Sequence, residues 1–261
     1  MRVVRIALVA LTLLIYFTLG PFGYLAFTVL HIFPAKDPDA RSLRLQRITR
    51  RAFTIVYAWA RLIRAYDLRT TDLADQLPDG PCVIVANHPT LLDASTMIRS
   101  VPRMTTSVKP ALYRQWWMRG LLAGAGHFEG STDPLGAERI IEDAVDRLNR
   151  GFRVVMFPEG TRSPHGGLRP FGRTAFEIAC RAGVPIVPVA IHTTPLWLTH
   201  EVGFLNPPPS VPQIRLTALA PRHPEEFDGA SRDMRDAVRT ALASHLRLPP
   251  PTSTVEETDE R

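Results

Sequence analysis

Lysine is almost missing from this chain: of 31 basic residues in 261, only Lys36 and Lys109 are lysine. A genome-wide codon bias accounts for that without reference to function, but it makes a lysine beside a motif worth noting. Cysteine is equally scarce, with Cys82 and Cys180 alone. Two isolated thiols among apolar neighbours build neither a disulfide framework nor a metal site, so both are expected in the core, in a reducing compartment. No paired Cys or His spacing suits a metal, and no G-x-S-x-G turn raises a serine nucleophile. Nothing resembles a zinc finger, an aromatic RNA-binding motif or a basic zipper. The net charge of +6 therefore suits an anionic lipid surface or an anionic substrate, with nucleic acid set aside.

Charge is also absent from Ile6 to Leu30, where most positions are apolar. Helical residues at ~1.5 Å each would carry this run through a bilayer core of ~30 Å with some tilt. A signal peptide fits less well, because its apolar region is usually about 7–15 residues and ends in small residues. Gly20-Pro21-Phe22-Gly23 interrupts the run, so a kinked span and a re-entrant hairpin both stay open. Residues 1–33 are thus expected to anchor the chain in a membrane.

Residues 34–76 mix basic and apolar side chains at helical spacing. Arg41, Arg44, Arg47 and Arg51 recur every three or four positions, Arg61 and Arg64 continue the series, and Ile48, Phe53, Ile55, Val56, Trp59, Leu62 and Ile63 supply apolar surface. A basic amphipathic helix of this kind suits an anionic interface; a solvated helix packed on the domain is the plainer alternative. The arginines follow the apolar run, which by the positive-inside rule puts the remainder of the chain on the cytoplasmic side of the inner membrane.

From residue 77 to 248 strand and helix signals alternate. Strands are expected at Val83–Ala86, Arg153–Phe157, Val184–Ile191 and Ile214–Leu219, and helices at Asp93–Arg99, Arg139–Leu148, Thr174–Ala182 and Ser231–Leu246. Such alternation predicts a single α/β domain, a mixed sheet flanked by helices. Pro185 and Pro188 cannot donate ladder hydrogen bonds, which argues for an edge or irregular position of their strand. Residues 249–261 are acidic and polar and are expected to be disordered.

Two segments carry chemistry. Asn87-His88-Pro89-Thr90-Leu91-Leu92-Asp93 follows an apolar strand pattern, placing His88 at a strand end and Asp93 at the start of a helix. A carboxylate on one imidazole nitrogen fixes the tautomer and stabilises the cation formed when the other nitrogen takes a proton. The bland alternatives are a helix cap for Asp93 and a satisfied turn residue for His88. Spacing alone is worthless, since His223 and Asp228 share it in a proline-rich loop. Without a protein nucleophile in sight, a histidine base implies that the substrate brings the hydroxyl and attacks an activated carbonyl such as a thioester.

The second segment is Phe157-Pro158-Glu159-Gly160-Thr161-Arg162-Ser163. Gly160 permits a turn, Thr161 and backbone N–H groups offer donors, and Arg162 presents a planar fork suited to phosphate oxygens. Glu159 could orient Arg162 or a substrate hydroxyl. A surface turn with a local Glu–Arg pair is the alternative.

Together these segments resemble the first and third signature blocks of the glycerolipid acyltransferase superfamily, typified by 1-acylglycerol-3-phosphate acyltransferase. Val184–Val189 resembles the apolar fourth block, and Val108-Lys109-Pro110 the segment whose lysine approaches the acceptor phosphate. The resemblance spans about Leu77 to Leu219. It implies an O-acyltransferase in which His88 is the base and Asp93 orients it. Lys109, Glu159, Gly160, Thr161 and Arg162 would hold the head group of a lyso-lipid, foremost 1-acylglycerol-3-phosphate. The donor would be acyl-CoA or acyl-carrier protein, with no metal or other cofactor, and the partners membrane lipids. The second block departs from the family: Ser131 stands where G-x-x-F-x-x-R ends in arginine, with Arg139 or Arg173 as candidate substitutes. That departure motivates a lyso-aminolipid or another hydroxylated lipid as alternative acceptor. A membrane-bound esterase or thioesterase and a silent lipid-binding protein are the remaining rivals. Trp116 and Trp117 are candidate interfacial anchors.

Overall fold

Three runs rich in β-branched residues, Val83–Ala86, Arg153–Met156 and Ile186–Thr194, build the centre of the molecule, because residues buried on both faces of a sheet need no polar alternation. The computed structural model describes residues 6–12, 14–15, 18, 37–69, 73–131, 133–203 and 206–248. Seven strands, β1 (Asp67–Arg69), β2 (Val83–Ala86), β3 (Met104–Val108), β4 (Phe128–Glu129), β5 (Arg153–Met156), β6 (Ile186–Thr194) and β7 (Gln213–Ala218), form one sheet in the order β1-β7-β6-β2-β5-β3-β4. All neighbours run parallel except β6 and β7. The expected mixed sheet flanked by helices is therefore what forms.

From residue 37 onward, the α-helices among the described residues are α1 (Pro38–Leu62), α2 (Asp93–Ser100), α3 (Pro110–Tyr113), α4 (Trp116–Gly124), α5 (Pro134–Asn149), α6 (Thr174–Ala182) and α7 (Ser231–His245). One core, with Ile84, Ala86, Met97 and Ile214, lies on the face covered by α1 and α2. The other, with Val83, Val85, Ala144, Phe176 and Val238, lies beneath α5, α6 and α7. Alternate residues of β2 thus feed opposite cores, as the two-residue period of a strand requires. Cys82 is fully buried, and its thiol is pushed up to about 11 by that burial; Cys180 is half-buried.

The helix expected across residues 34–76 stops at Leu62, and Asp67–Arg69 already belongs to the sheet through β7. The sheet therefore starts before residue 77, on three residues too few to leave a periodic signal. Within α1 the apolar residues are turned the wrong way round for a core helix. Ser42, Gln46 and Tyr57 are buried with Leu45 and Ala60, whereas Ile48, Ile55, Trp59 and Leu62 are exposed, Ile55 by 70% and Leu62 by 74%. At positions i, i+7, i+11 and i+14 these four form one outward stripe. Asp37 caps the helix, and Asp39 pairs with Arg150 of the domain.

Residues 6–12 are helical, with Val9 buried and Leu11 exposed. Most of the expected anchor, including Gly20–Gly23, lies outside the described residues, as do residues 249–261. Among the described residues no helix is long and apolar enough to cross a membrane.

The proline-bearing strand is not an edge. β6 lies between β2 and β7, and Pro188 is aligned with Val85 of β2. Its missing N–H faces β7, where the pairing Val189↔Ala218 gives way to the bridge Ile186↔Arg222, a slip of one residue. The irregularity anticipated from the prolines is therefore this local bulge, while the edge position is not found.

Candidate functional site

In a parallel sheet the strands' carboxyl ends share one edge, and ligands commonly bind outside it. Here β2 delivers His88 to that edge, β5 the 157–163 turn, β3 Lys109 and β4 Ser131, in the order β2-β5-β3-β4. With neighbouring strands about 4.8 Å apart, Lys109 sits two strands, or roughly 10 Å, from the histidine's strand.

His88 Nδ1 lies 2.7 Å from Asp93 Oδ2. Asp93 is fully buried and is the first residue of α2. Its carboxylate also accepts from the Thr90 N–H (2.7 Å, to Oδ2) and the Thr90 hydroxyl (2.6 Å, to Oδ1). All these partners precede Asp93, and α2 has no side-chain cap, so Asp93 is not a helix cap. Burial pushes its pKa up, against the opposing pull of the bonds from His88 and Thr90. An anion accepting from Nδ1 fixes the tautomer that leaves Nε2 as the proton acceptor. The His88 side chain is 21% exposed and its ring stacks on Phe157, centroids 4.5 Å apart. Its Nε2 has no hydrogen-bond partner among the described residues.

Asn87, directly before the histidine, makes a two-point bond with β6. Its Nδ2 donates to the Ile191 carbonyl (2.9 Å) and its Oδ1 accepts from the Ile191 N–H (2.8 Å).

Glu159 does not orient Arg162. Its Oε1 accepts from the Ser163 hydroxyl (2.5 Å) and the His88 N–H (3.3 Å), and its Oε2 from the Arg169 N–H (2.8 Å). The Ser163 N–H donates to the His88 carbonyl (2.8 Å). The buried carboxylate of Glu159 is thus a brace between the two motifs rather than an open ligand group. Arg162 turns towards the loop after β6, its Nη1 donating to the Leu198 (3.2 Å) and Thr199 (2.7 Å) carbonyls. Leu198 also accepts from the Leu91 N–H (3.0 Å), so Arg162 is tied to the histidine loop from its far side.

Gly160 is exposed with φ +66° and open space where a side chain would stand, a conformation that favours glycine. Thr161 is half-buried and Lys109 exposed. The structure thus brings His88, Asp93 and the 159–162 turn into one connected cluster, with Lys109 farther along the same edge. Thr90, Asn87, Ser163 and Phe157 complete it; all four stood in or beside the two motifs, but their roles depend on bonds that spacing does not reveal.

Ser131 is engaged elsewhere: its hydroxyl donates to Asp133 Oδ2 (2.7 Å), and Asp133 caps α5. Arg139 and Arg173 are exposed, and neither bonds to Ser131. The cation that meets the end of β4 is Arg114, whose Nε donates to Glu129 Oε1 (2.5 Å). Trp116 is 77% exposed and Trp117 half-buried.

Among the described residues, the hydroxyls bonded to the two motifs are already donating within the protein. Thr90 donates to Asp93 and Ser163 to Glu159. A base whose Nε2 bonds to no side chain among the described residues is equipped to activate a hydroxyl that arrives with a substrate.

A family model described as Acyltransferase matches residues 69–192. The chain is 32% identical over 163 residues to the chloroplastic 1-acyl-sn-glycerol-3-phosphate acyltransferase BAT2 of Brassica napus, covering 58% of this chain and 46% of that protein. It is 30% identical over 176 residues to the 1-acyl-sn-glycerol-3-phosphate acyltransferase of Saccharomyces cerevisiae, covering 62% of this chain and 54% of that one. It thus spans about half the length of these relatives. The crystal structure of the 1-acyl-sn-glycerophosphate (LPA) acyltransferase PlsC from Thermotoga maritima superposes with a TM-score of 0.70 over 95% of this chain and 97% of that one, at 21% identity, a likeness of fold.

Proposed function

We propose that the chain is a member of the glycerolipid acyltransferase superfamily, a reading supported by the match over residues 69–192 and by the two relatives, and that it moves a fatty acyl group from acyl-CoA or acyl-carrier protein to the free hydroxyl of 1-acylglycerol-3-phosphate, forming phosphatidic acid. The observation that carries this reading is the 2.7 Å bond from His88 to Asp93, beside hydroxyls that already donate within the protein. His88 Nε2 takes the proton of the acceptor hydroxyl, and the oxygen attacks the thioester carbonyl. A C–O bond forms, the C–S bond breaks, and the imidazolium returns its proton to the leaving thiolate. Asp93 stabilises the imidazolium between these two transfers. The exposed Lys109 and the 160–162 turn would receive the head group, with the unengaged nitrogens of Arg162 turned to phosphate.

Membrane attachment at the cytoplasmic face is part of the proposal. Its support is the outward stripe of α1, flanked by the exposed Arg44, Arg47 and Arg51, together with the uncharged run from Ile6 to Leu30. An apolar pocket lined by Val9, Val56, Ala60, Leu92 and Leu198 opens between this region and the dyad's loop, a suitable start for the acyl chain's path.

A second acceptor class, a lyso-aminolipid or other hydroxylated lipid, is favoured by one observation: at the end of β4 a carboxylate, Glu129, accompanies the cation Arg114, and Ser131 is turned away. The test is transfer of labelled acyl groups from acyl-CoA or acyl-carrier protein to lysophosphatidic acid in detergent micelles, wild type against His88→Ala. Loss of at least ~10²-fold is expected for removal of a general base. Folded wild type that acylates a lyso-aminolipid but not lysophosphatidic acid would transfer the assignment to the second class.

A further inference from the structure

We infer that Tyr57 is a positioning residue for the His88–Asp93 dyad, so that α1 as well as α2 sets the aim of the base; this rests on reading His88 as the base. α1 touches α2 by hydrogen bonds at both ends of the shorter helix. At the end remote from the dyad, Arg50 Nε donates to the Arg99 carbonyl (3.0 Å). At the dyad end, the buried Tyr57 hydroxyl lies 3.2 Å from the Leu92 carbonyl, 2.9 Å from Ser95 Oγ and 2.8 Å from Thr96 Oγ1.

These contacts converge on one atom. The Ser95 and Thr96 hydroxyls donate to the same Leu92 carbonyl at 2.7 and 2.9 Å, and the Thr96 N–H adds the helical bond at 2.9 Å. The Leu92 carbonyl belongs to the peptide unit whose nitrogen is that of Asp93. Because that unit is planar, holding its oxygen fixes where the Cα of Asp93 begins. Buried hydroxyls are costly unless bonded, and apolar side chains would fill the same space. Three hydroxyls gathered on one carbonyl, at the start of a helix that has no side-chain cap, act on the geometry of that first turn. Tyr57 is the one among them carried by a different helix, the helix whose apolar stripe faces outward.

The experiment compares full-length wild type, Tyr57→Phe and Arg50→Met by steady-state acyl transfer to lysophosphatidic acid in mixed micelles, by ¹⁵N NMR of the His88 ring, and by thermal melting. Phenylalanine keeps the ring that borders the apolar pocket and removes only the oxygen. Tyr57→Phe is expected to lower kcat about five- to tenfold with KM within about twofold, the scale of one lost buried hydrogen bond. The His88 ring should shift from a pure Nδ1–H tautomer towards a mixture. Arg50→Met loosens the same helix pair at its other end and should leave kcat and tautomer unchanged. The inference is overturned by a folded Tyr57→Phe with wild-type kcat and tautomer, or by an equal loss in Arg50→Met, which would mark general loosening. Ser95→Ala, which removes a second hydroxyl from the same carbonyl together with its contact to Tyr57 and leaves the sequence of α1 unchanged, gives the same comparison if Tyr57→Phe does not fold; a wild-type kcat and tautomer there would overturn it too. Absence of transfer by wild type would defeat the functional reading, while the NMR comparison would still decide the positioning.

Discussion

The molecule contains two histidines followed five positions later by an aspartate, and it treats them oppositely. His88 leaves a buried strand and Asp93 opens a buried helix, so the loop between them folds back until ring and carboxylate meet at 2.7 Å. His223 instead precedes a short 3-10 turn, Pro224–Phe227, where its N–H donates to Glu226 Oε1 (2.8 Å), and Asp228 ends that turn at φ +50°. Both residues of the second pair are exposed. Spacing is identical; what differs is whether the flanking elements are held by a core. A dyad requires the sheet to fix one end and a buried helix to fix the other.

The largest expected contrast comes from the carboxylates. Asp93→Asn should lower kcat by about 10²-fold or more, because an amide cannot stabilise the imidazolium; Asp228→Asn should leave kcat within about twofold. Parallel assays of the two variants check this. The same substitution also changes how stability depends on pH. The folded pKa of Asp93 lies above its unfolded value, so the folded chain holds more protons between the two and stability falls as pH rises through that window. Because Asn does not titrate, the melting temperature of Asp93→Asn relative to wild type should climb as pH rises above the ordinary carboxylate range and stay flat in acid below it, as a pH series of Tm measurements would reveal.

A smaller effect is expected at the brace. Glu159→Gln retains the shape but weakens the charge-assisted bonds from Ser163, His88 and Arg169, so kcat should drop about tenfold. If Glu159 instead gripped the acceptor, KM would carry the change, which a kcat and KM determination separates. The smallest belongs to the second pair. His223→Ala keeps the backbone N–H that bonds Glu226, so it should change stability by no more than about 0.5 kcal/mol and leave turnover untouched; urea unfolding beside an activity assay tests both halves.

Much of the architecture could be read from the chain. Val83–Ala86 and Thr174–Ala182 coincide with β2 and α6, since a β-branched apolar run and a helical period are local signals. β3 was not legible: Met104-Thr105-Thr106-Ser107-Val108 looks too polar for an interior strand. Its buried hydroxyls are satisfied by distant carbonyls, Thr105 by Gly126 (2.5 Å) and Thr106 by Val155 (2.7 Å), and no local pattern announces such bonds. The site divides the same way. His88 and Asp93 were legible because a motif names them, whereas the brace role of Glu159 depends on Ser163 and Arg169 folding back over the histidine loop.

Asn87 carries a consequence for experiment. Its amide stands in for one further residue of backbone pairing, so the Ile191 N–H is guarded by a side chain rather than by a strand. Exchange of that single amide hydrogen with deuterium then requires the Asn87 side chain to let go, and its rate becomes a clock for how often the last fixed point before His88 opens. A chain with an unfrayed strand end at the histidine should show Ile191 exchanging as slowly as the neighbouring core amides, and Asn87→Ala should release that one hydrogen ahead of the rest.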